Sequence, residues 1–581
     1  MTSWTQRQQA RDTLSREAGS IRRVYGGRLR VALAFPNTYH VGMSSLGFQT
    51  VYRLFNEQPD VICERVFLPP RQVQRREKEF RGPLLTLESQ SPVSDFDVLA
   101  FSVSFEWDYT NIITLLRFSG IPIYADDRSS RFPLIVLGGA ISFLNPEPLA
   151  PFFDVVAAGE GEVLVPSLVS AVTNNSDRPA LLNQLAGERG FYVPSFYQVS
   201  YSKDGNIEKF EPKKDSVAPA TVSKAALRLT DKVDPPHTVV FTPDTEFGSR
   251  FLIEIVRGCA NLCRFCWAGY NYLPVRAFPT ERILDLAKEA RPYANRVGLV
   301  SIALCDHPEI EAILSGLAAQ GYSISPASLR LDDLTESIIS SLRQSGERTL
   351  TIAPETGSDR LRRVINKTIT NDEIVERAEL IFATGIENLK LYYMIGLPTE
   401  TDEDLVALRD LTLRIREPLV KYGRQRGRLG RLIASVNPMI PKPGTTYQWL
   451  AADRQSVIAA KIKRLRALLS GIDNLHVSIK SERHSYYQAL LSLGDRRVAP
   501  VIEAAERNGG NWNSAVAEAG IDPDFFLFRD RSLDKILPWD IIDGGLKSSF
   551  FREELTKSFK AEWTLPQKQL SANTASRSVV D

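Results

Sequence analysis

Three cysteines, Cys259, Cys263 and Cys266, lie within eight residues of this 581-residue chain. They directly follow the apolar segment FLIEIV, so we expect them on a loop at the end of a strand. Three thiolates on one short loop can hold three irons of a 4Fe–4S cluster, for which four cysteines are the usual complement. The fourth iron then keeps an open position, as catalytic metal sites generally do. The amine and carboxylate of an amino acid could chelate that iron, so the spacing predicts a catalytic site.

A zinc site completed by a histidine is the alternative for these cysteines. Zinc sites usually pair their cysteines as two CxxC units, and the sequence contains no second unit. The remaining cysteines, Cys63 and Cys305, stand apart, so the five cysteines do not predict a disulfide framework. Cys305 is either a further reactive thiol near the same site or a small buried apolar residue, which is the commoner role of a lone cysteine.

Short apolar segments alternate with helical segments along most of the chain, which predicts an α/β fold. We expect an N-terminal Rossmann-like parallel sheet domain, then a (β/α) partial TIM-type barrel, then a mainly helical C-terminal region. Barrel folds place their chemistry at the C-terminal ends of their strands, and the cysteine loop follows the first barrel strand. The expected divisions are an N-terminal extension (1–25), the Rossmann-like domain (26–175), a linker with a hairpin (176–245), the barrel (246–475), the helical region (476–565) and a disordered tail (566–581).

Ten segments are predicted to be strands because they are short, apolar and rich in branched residues. In the first domain they span 29–35, 97–103, 134–138 and 153–158. In the barrel they span 251–256, 296–303, 323–330, 348–354, 388–395 and 431–436. Helical segments follow most of them, so the strands of each domain are expected to be parallel.

The composition is that of an ordinary globular protein, with 43% hydrophobic and 24% charged residues. Its 71 basic and 69 acidic residues leave a formal net charge of +2, which argues neither for nor against binding of nucleic acid. Residues 1–25 are polar and lack the apolar segment of a signal peptide. No run of 18 apolar residues occurs, so we expect no membrane span and a cytoplasmic location.

The CxxxCxxC spacing, with the aromatic Phe265 before the last cysteine, resembles that of the radical SAM superfamily. The resemblance implies a 4Fe–4S cluster that binds S-adenosylmethionine (SAM) and cleaves it reductively to methionine and a 5′-deoxyadenosyl radical. That radical takes a hydrogen atom from a substrate, which the sequence does not name. The resemblance also implies a reductant such as ferredoxin or flavodoxin. A non-catalytic iron–sulfur scaffold or sensor is the alternative from another class of protein.

Two later segments resemble the parts of the superfamily that contact SAM. The first is residues 353–366 (APETGSDRLRRVIN), where the resemblance assigns Glu355 to the amine or a ribose hydroxyl of SAM. The alternative is that Glu355 is a carboxylate at the start of a helix, where it interacts with the helix dipole. Residues 390–401 (KLYYMIGLPTET) resemble the strand and turn beside the adenine. Gly396 is assigned there, and a purely structural role in the turn is equally open.

Two further positions follow the second and third barrel strands. Residues 301–306 (SIALCD) occupy the place of a GGE-like segment that binds the SAM amine, but they lack its glycines. The resemblance therefore assigns Ser301 or Asp306 to that role. It assigns Arg330 to the SAM carboxylate, with a surface ion pair as the alternative.

The first domain resembles the cobalamin-binding-type domain that precedes many radical SAM barrels. The residues that carry this resemblance are Gly138 and Gly139, then Asn145-Pro146-Glu147, then Gly159-Glu160-Gly161-Glu162. Glycines after strands allow close approach to a cofactor, or they simply make tight turns. The DxHxxG motif of many cobalamin proteins is absent, and NTYHVG (37–42) stands in its place. The open alternatives are cobalamin bound without a protein histidine, with methyl transfer or rearrangement as the reaction, and a domain without a cofactor.

Nearly the whole chain resembles a group of uncharacterised radical SAM proteins with this fused N-terminal domain. The shared segments are WAGYNYLPVR (267–276), NPMIPKPGTTYQW (437–449), SLGDRR (492–497) and LPWDIIDGGLKSSFF (537–551). Related chains often end in a cysteine cluster, which this sequence lacks.

Three basic segments leave open a second function, that of a cobalamin-free RNA- or protein-modifying radical SAM enzyme. They span 71–81, 421–431 and 461–466. Arginine-rich segments can follow phosphates, but a charge run is more often a solvated face.

Overall fold

The computed structural model describes residues 3–70, 82–228, 232–326, 329–331 and 334–564. The chain divides into two compact units. Unit 1 comprises Met1–Arg250, Leu490–Phe526 and Ser532–Gly545, and unit 2 comprises Phe251–Ala489, Leu527–Arg531 and Leu546–Asp581. The tail predicted to be disordered and the basic segment 71–81 lie outside the described residues.

The N-terminal part of unit 1 contains nine strands and six helices among its described residues. The strands are β1 (Leu29–Phe35), β2 (Val61–Phe67), β3 (Val98–Ser102), β4 (Leu134–Gly138), β5 (Val155–Ala157), β6 (Phe191–Tyr192), β7 (Tyr197–Tyr201), β8 (Ile207–Pro212) and β9 (Val222–Ser223). The helices are α1 (Ser3–Ser15), α2 (Tyr39–Met43), α3 (Leu46–Glu57), α4 (Tyr109–Phe118), α5 (Gly161–Asn174) and α6 (Arg178–Gly187). The predicted hairpin is confirmed as the antiparallel pair β7–β8.

One six-stranded sheet forms the centre of unit 1, in the order β2-β1-β3-β4-β5-β6. Its first five strands are parallel and only β6 runs antiparallel. The apolar side chains of β1, β3 and β4 are almost all buried, as strands covered by helices on both faces require. The predicted Rossmann-like sheet is therefore confirmed.

Strand β2 was not predicted from the sequence. Its sequence, VICERVF, places Glu64 and Arg65 in the middle of the strand, so it lacks the apolar run that marks the other strands. Both side chains are nevertheless buried, because each has charged or polar partners inside unit 1.

Arg65 is the centre of a buried charge network in unit 1. Its guanidinium has no exposed surface and contacts Glu17 at 2.7 Å and Glu88 at 2.6 Å, both measured between nitrogen and carboxylate oxygen. The Tyr39 hydroxyl also donates to Glu17, at 2.5 Å, and the Arg65 guanidinium lies over the ring of Tyr52. Burial raises the pKa of Glu88, an effect that Arg65 opposes. The network thus joins the segment after α1 to strand β2 and to the loop that follows it.

Unit 2 contains strands and helices in strict alternation over most of its length. Its strands are β10 (Phe251–Arg257), β11 (Arg276–Ala277), β12 (Arg296–Ser301), β13 (Ser323–Pro326), β14 (Thr349–Glu355), β15 (Asn388–Ile395), β16 (Leu432–Pro438) and β17 (Leu475–Ile479). Its helices are α7 (Trp267–Asn271), α8 (Thr280–Ala290), α9 (Ile310–Ala319), α10 (Glu336–Gln344), α11 (Asp359–Val364), α12 (Asn371–Ala383), α13 (Asp402–Gln425) and α14 (Gln455–Leu469), and α15 (Glu482–Leu493) begins in it.

Within the described part of unit 2, the strands form two four-stranded sheets, β11-β10-β12-β13 and β14-β15-β16-β17. All neighbours are parallel except β10 and β11. A hydrogen bond from the Leu329 amide to the Thr351 carbonyl oxygen, at 3.3 Å, links the segment after β13 to β14. These parallel strands with intervening helices confirm the predicted partial barrel. Strand β17 was not predicted, because its polar residues interrupt the apolar pattern.

The C-terminal region is mainly helical, as predicted. After α15 it contains α16 (Ala499–Arg507), α17 (Trp512–Ala519), α18 (Pro523–Leu527), the short strand β18 (Ile542–Asp543) and α19 (Ser548–Phe559). Its parts belong to different units, since β18 pairs with β9 of unit 1 whereas α19 lies in unit 2. Among the described residues, no helix is long and apolar enough to cross a membrane.

The charge network of Arg65 gives a prediction about the stability of unit 1. Arg65→Met would leave Glu17 and Glu88 buried without their cation, so we expect the free energy of unfolding to fall by about 3–5 kcal/mol. Arg16→Met removes the more exposed pair of Arg16 with Asp244, and its loss should stay within about 1 kcal/mol. Urea titrations of the two variants measure the difference. Equal losses would show that the buried network does not stabilise unit 1.

Candidate metal centre

The cysteine loop begins where β10 ends, at Arg257. Gly258 turns the chain there with a φ of +96°, and a side chain at this position would lie 2.5 Å from the Tyr272 carbonyl oxygen. The loop closes at Cys266, which precedes helix α7 and whose amide donates to the Cys263 carbonyl oxygen at 2.9 Å. The loop therefore stands at the carboxyl end of the first barrel strand, as the sequence predicts.

The three thiols of the loop are free and share one electrostatic environment. Burial raises the pKa of Cys263 to about 12 and the pKa of Cys266 to about 11, and it also raises the pKa of Cys259. The other loop thiols raise the pKa of Cys263 further, and Lys367 lowers the pKa of all three. Because only thiolates bind metal, a metal centre here must displace the thiol protons.

The donor set fits an iron–sulfur cluster. Among the described residues, no group of three or more His, Cys, Asp or Glu side chains is arranged to hold a single metal ion. A cluster has a different requirement, because each thiolate binds its own iron. Three soft thiol ligands on one loop meet this requirement, and they leave a fourth iron without a cysteine of the loop.

Glu355 lies at the carboxyl end of β14, and its charge raises the pKa of Cys263 and Cys266. It adopts a φ of +66°, and the register of β14 against β15 shifts between Ile352 and Glu355. A strained backbone of this kind in a strand end is typical of functional sites. Lys367 stands 3.6 Å from Glu355, measured between Nζ and Oε1. Burial raises the pKa of Glu355, and Lys367 opposes that shift.

Lys367 is a functional candidate that the sequence analysis missed. It pairs with Glu355, and the preceding residue, Asn366, donates to the carbonyl oxygens of Asn261 and Leu262, so Lys367 lies beside the cysteine loop. A single lysine after a short helix belongs to no sequence motif that would mark it as functional. Its position just beyond the segment 353–366, which was assigned to SAM, is the one signal that pointed towards it.

Asp306 and Arg330 form an ion pair beside the cysteine loop. Arg330 Nη1 lies 2.9 Å from Asp306 Oδ1, and the Asp306 side chain has no exposed surface. The Ala260 amide donates to the same carboxylate at 3.4 Å, and both charges influence the pKa of Cys259. The pair is thus largely buried rather than on the surface. Ser301, at the end of β12, is buried and accepts a hydrogen bond from the Ala303 amide.

Gly396 and Phe265 have local contacts that explain their residue types. Gly396 follows β15 with a φ of +78°, and its amide donates to Glu400 Oε2 at 2.7 Å. A side chain there would lie 2.9 Å from Ile458. Phe265 packs against a buried apolar cluster that includes Leu361. Both residues lie in unit 2 close to the segments assigned to SAM, and their contact with a cofactor stays a prediction.

The glycines of unit 1 lie where neighbouring backbone atoms leave no room for a side chain. A side chain at Gly139 would lie 2.5 Å from the Val103 carbonyl oxygen, and one at Gly159 would lie 2.1 Å from the Ala225 carbonyl oxygen. A side chain at Gly138 would be tight, at 3.3 Å from the Phe101 carbonyl oxygen.

Two other segments of the cobalamin-type resemblance also have local roles. The Asn145 side chain donates to the carbonyl oxygens of Ser492 and Gly494, and Glu147 pairs with Arg496 at 2.8 Å. His40, in the place of the missing DxHxxG motif, is exposed on α2. Unit 1 therefore does not fit a cobalt ligated by a histidine of that motif.

Several residues of the described basic segments are engaged in ion pairs. Lys461 contacts Glu400 and Asp453, both at 2.8 Å. Arg464 contacts Asp402 at 2.9 Å. In the other segment, Lys421 pairs with Glu379 and Arg428 with Glu387. These contacts reduce the positive charge that the segments could offer to phosphates.

Comparisons with known proteins agree with this geometry. The family model "Radical SAM proteins, N-terminal" matches residues 47–194, and the model "Radical SAM superfamily" matches residues 253–412. The chain is 29% identical to the uncharacterised protein MJ0966 of Methanocaldococcus jannaschii, over 87% of this chain and 95% of that protein. It is 23% identical to the uncharacterised methyltransferase PH0819 of Pyrococcus horikoshii, over 47% of this chain and 56% of that protein.

A solved structure shares the fold. It is the radical S-adenosylmethionine methyltransferase TsrM from Kitasatospora setae with tryptophan substrate and a SAM analogue bound, matched with a TM-score of 0.50. The match covers 85% of this chain and 100% of that chain at 11% identity, so it supports the fold alone. The cysteine loop and the glutamate at the end of β14 both lie inside the matched radical SAM region. Residues 253–412 therefore form a radical SAM domain, and proteins of that superfamily are enzymes that use a 4Fe–4S cluster and SAM.

Proposed function

We propose that Cys259, Cys263 and Cys266 hold the cluster of this enzyme and that Glu355 and Lys367 bind SAM beside it. The contacts around Lys367 support this most. Its Nζ lies 3.6 Å from Glu355 Oε1, and the preceding residue, Asn366, donates to the carbonyl oxygens of Asn261 and Leu262 in the cysteine loop at 3.2 and 3.3 Å. The charges of Glu355 and Lys367 also act on the pKa of Cys263 and Cys266. When bound, the cluster supplies the electron that splits SAM into methionine and a 5′-deoxyadenosyl radical.

The chain itself binds, orients and shields the reactants, as proteins do around a cofactor that performs the difficult chemistry. Three loop thiolates would hold three irons and would leave the fourth to the amine and carboxylate of SAM. Glu355 would accept from the amine N–H groups or from a ribose hydroxyl, and Lys367 would donate to a carboxylate oxygen. Because these groups are largely buried, their charges act in a medium of low dielectric, where they are stronger than in water.

A reductant such as ferredoxin or flavodoxin supplies the electron, and the substrate donates a hydrogen atom. The predicted alternative of an RNA substrate would need phosphate contacts from residues 421–431 and 461–466. In these segments Lys421, Arg428, Lys461 and Arg464 already pair with carboxylates of the same unit. We therefore favour a reaction that does not depend on these segments.

The cysteine assignment predicts the outcome of an anaerobic SAM-cleavage assay. Protein reconstituted with iron and sulfide and then reduced is expected to form 5′-deoxyadenosine from SAM. Cys263→Ala removes a cluster ligand, so product should fall to the level without protein. Cys305→Ser is the matched control, because this thiol lies outside the loop, and it should retain cluster and product. Full product from Cys263→Ala would refute the assignment, and loss of cluster in Cys305→Ser would make Cys305 a ligand.

The SAM assignment predicts a separate effect on binding. Glu355→Gln and Lys367→Met each remove a charge-assisted contact worth about 1.5–3 kcal/mol, so the Kd for SAM should rise at least roughly tenfold. The iron content should stay unchanged, because neither residue is a proposed ligand. Equilibrium dialysis with SAM measures the Kd. Glu311→Gln, on the exposed side of α9, is the control and should bind SAM normally. Wild-type affinity in both site variants would exclude these residues from the SAM site.

We propose cobalamin-dependent methyl transfer as the second candidate function, because the sheet of unit 1 has a suitable ligand edge. Its strand order changes direction between β1 and β3, and open parallel sheets bind ligands at such a switch point. Asn37, just after β1, donates to Asp108, in the segment after β3, at 2.8 Å. Polar side chains therefore line this edge.

Hydroxocobalamin tests this candidate directly. The protein is expected to retain it through gel filtration. Because no histidine of a DxHxxG motif is present, His40→Ala should leave the visible spectrum of the bound cobalamin unchanged. A spectral change in His40→Ala would identify a histidine ligand after all. If hydroxocobalamin elutes separately from the protein, unit 1 does not bind it, and the proposal of cobalamin-dependent methyl transfer loses its support.

A further inference from the structure

Arg264 stands inside the cysteine loop, between two proposed cluster ligands, yet its guanidinium is turned away into the protein interior. The side chain has no exposed surface. An arginine carries five N–H donors, and all five are engaged here. Nε donates to Glu554 at 3.1 Å, Nη1 to the carbonyl oxygens of Arg363 and Val364 at 2.8 and 3.0 Å, and Nη2 to the Glu562 carbonyl oxygen and Thr564 Oγ1 at 2.9 and 3.3 Å.

A second side chain, that of Asn366, holds the other half of the same loop. It is fully buried, and its amide group donates to the carbonyl oxygens of Asn261 and Leu262 at 3.2 and 3.3 Å. The side-chain oxygen Oδ1 of Asn366 accepts a hydrogen bond from the Thr564 backbone amide at 2.9 Å. The residue that follows Asn366 is Lys367, which we assign to SAM. The cysteine loop and the SAM-binding segment are thus tied to each other through Asn366.

The third partner comes from helix α19, near the C-terminal end of the described chain. Glu554 is fully buried and accepts from Arg264 on one oxygen and from Thr564 Oγ1 on the other, at 2.6 Å. Lys557 also contacts Glu554, at 3.0 Å. One turn along the helix, the Ser558 hydroxyl donates to the Val364 carbonyl oxygen at 2.9 Å. Helix α19 and the residues after it therefore bind both the cysteine loop and the segment 363–366.

We propose that Arg264, Asn366, Glu554 and Thr564 form a loop clamp that positions the three cluster thiolates, a role that rests on the proposed function. A buried ion pair is seldom more stabilising than apolar residues of similar size, so stability alone explains Arg264 poorly. A loop that must present three thiolates to three irons needs its backbone fixed, and surrounding hydrogen bonds commonly fix metal ligands. Arg264 is a positioning residue, since it contacts the loop and not the cluster.

A lysine at position 264 tests whether the loop needs the hydrogen-bonding geometry of arginine or only its positive charge. Lysine keeps the positive charge for Glu554 but has three donors around one point, so it cannot serve acceptors on three sides. Arg264→Lys should therefore lose reconstituted iron to a chelator faster than the wild type. We expect a rate increase of roughly 10- to 100-fold, the factor by which metal affinity usually falls when a group that orients the metal ligands is removed.

A double variant separates positioning from stability. Arg264→Met with Glu554→Leu removes both charges together, so no unpaired charge is left buried and the fold should recover much of its stability. The clamp predicts that this protein still loses iron to the chelator roughly 10- to 100-fold faster than the wild type. It also predicts a broadened electron paramagnetic resonance signal of the reduced cluster when SAM is added, because the ligand geometry is no longer unique. Arg65→Met, at an equally buried arginine of unit 1, is the control for general destabilisation and should keep the wild-type rate of iron loss.

The outcomes distinguish the clamp from the proposed function. Faster iron loss in Arg264→Lys and in the double variant, with normal loss in Arg65→Met, supports the clamp. Wild-type iron retention in the double variant overturns it and leaves Arg264 with a structural role only. Equal loss in Arg65→Met also overturns it, because the effect would then follow stability. A wild-type protein that takes up no cluster would instead refute the proposed function, and the clamp with it.

Discussion

The site depends on the cost of bringing three thiolates together in a buried pocket. Burial raises the pKa of Cys263 to about 12, and the neighbouring thiols add to this shift because each thiolate disfavours the ionisation of the next. Only strong positive charge can offset such a cost. Bound iron would supply most of it, and Lys367 adds to it, since Lys367 lowers the pKa of all three thiols. The surrounding structure must therefore place a cation near the loop while it keeps water out.

The barrel meets this requirement by collecting the ends of several strands. The loop follows β10, Asp306 follows β12 and Glu355 ends β14, so three strands contribute to one site. Arg330, in the segment after β13, adds a second cation, which is balanced by Asp306 at 2.9 Å. Charges of both signs thus surround the thiols at short range. Such an arrangement suits a ligand with both an amine and a carboxylate, as SAM has, because acceptors for the first and donors for the second are both present.

The parts of the fold that were predictable from the sequence are those with a regular apolar pattern. Strands β1, β4 and β15 were predicted with the bounds that the structure shows, and the cysteine loop was placed correctly after β10. Strand β2 was missed because Arg65 interrupts its apolar run, and the charge is tolerated only through Glu17 and Glu88, which are distant in sequence. Such partners are invisible before the chain is folded.

The same limit applied to the site. The spacing of the three cysteines predicted them as ligands, and the resemblance of residues 353–366 to a family segment predicted Glu355. Lys367 and Glu554 act through contacts with residues elsewhere in the chain, and no local pattern marks them. The division of the C-terminal region between the two units was equally hidden, because β18 owes its place to pairing with β9. Features fixed by neighbouring residues in the sequence were therefore easier to predict than features fixed by contacts between distant parts of the chain.

Arginine has a special place in this protein because catalytic loops are both irregular and buried. An irregular segment cannot satisfy its carbonyl oxygens through a helix or a sheet, and burial denies them water. The planar guanidinium offers five donors in a fixed fork and can serve several such carbonyls at once. Arg264, itself in the irregular cysteine loop, does so for Arg363 and Val364 in the last turn of α11, where carbonyl oxygens have no partner within the helix. The fully buried Arg362 donates to the Thr356 carbonyl oxygen, between β14 and α11, and to Asp359. One buried arginine thus joins the cysteine loop to α11, and another joins α11 to the end of β14.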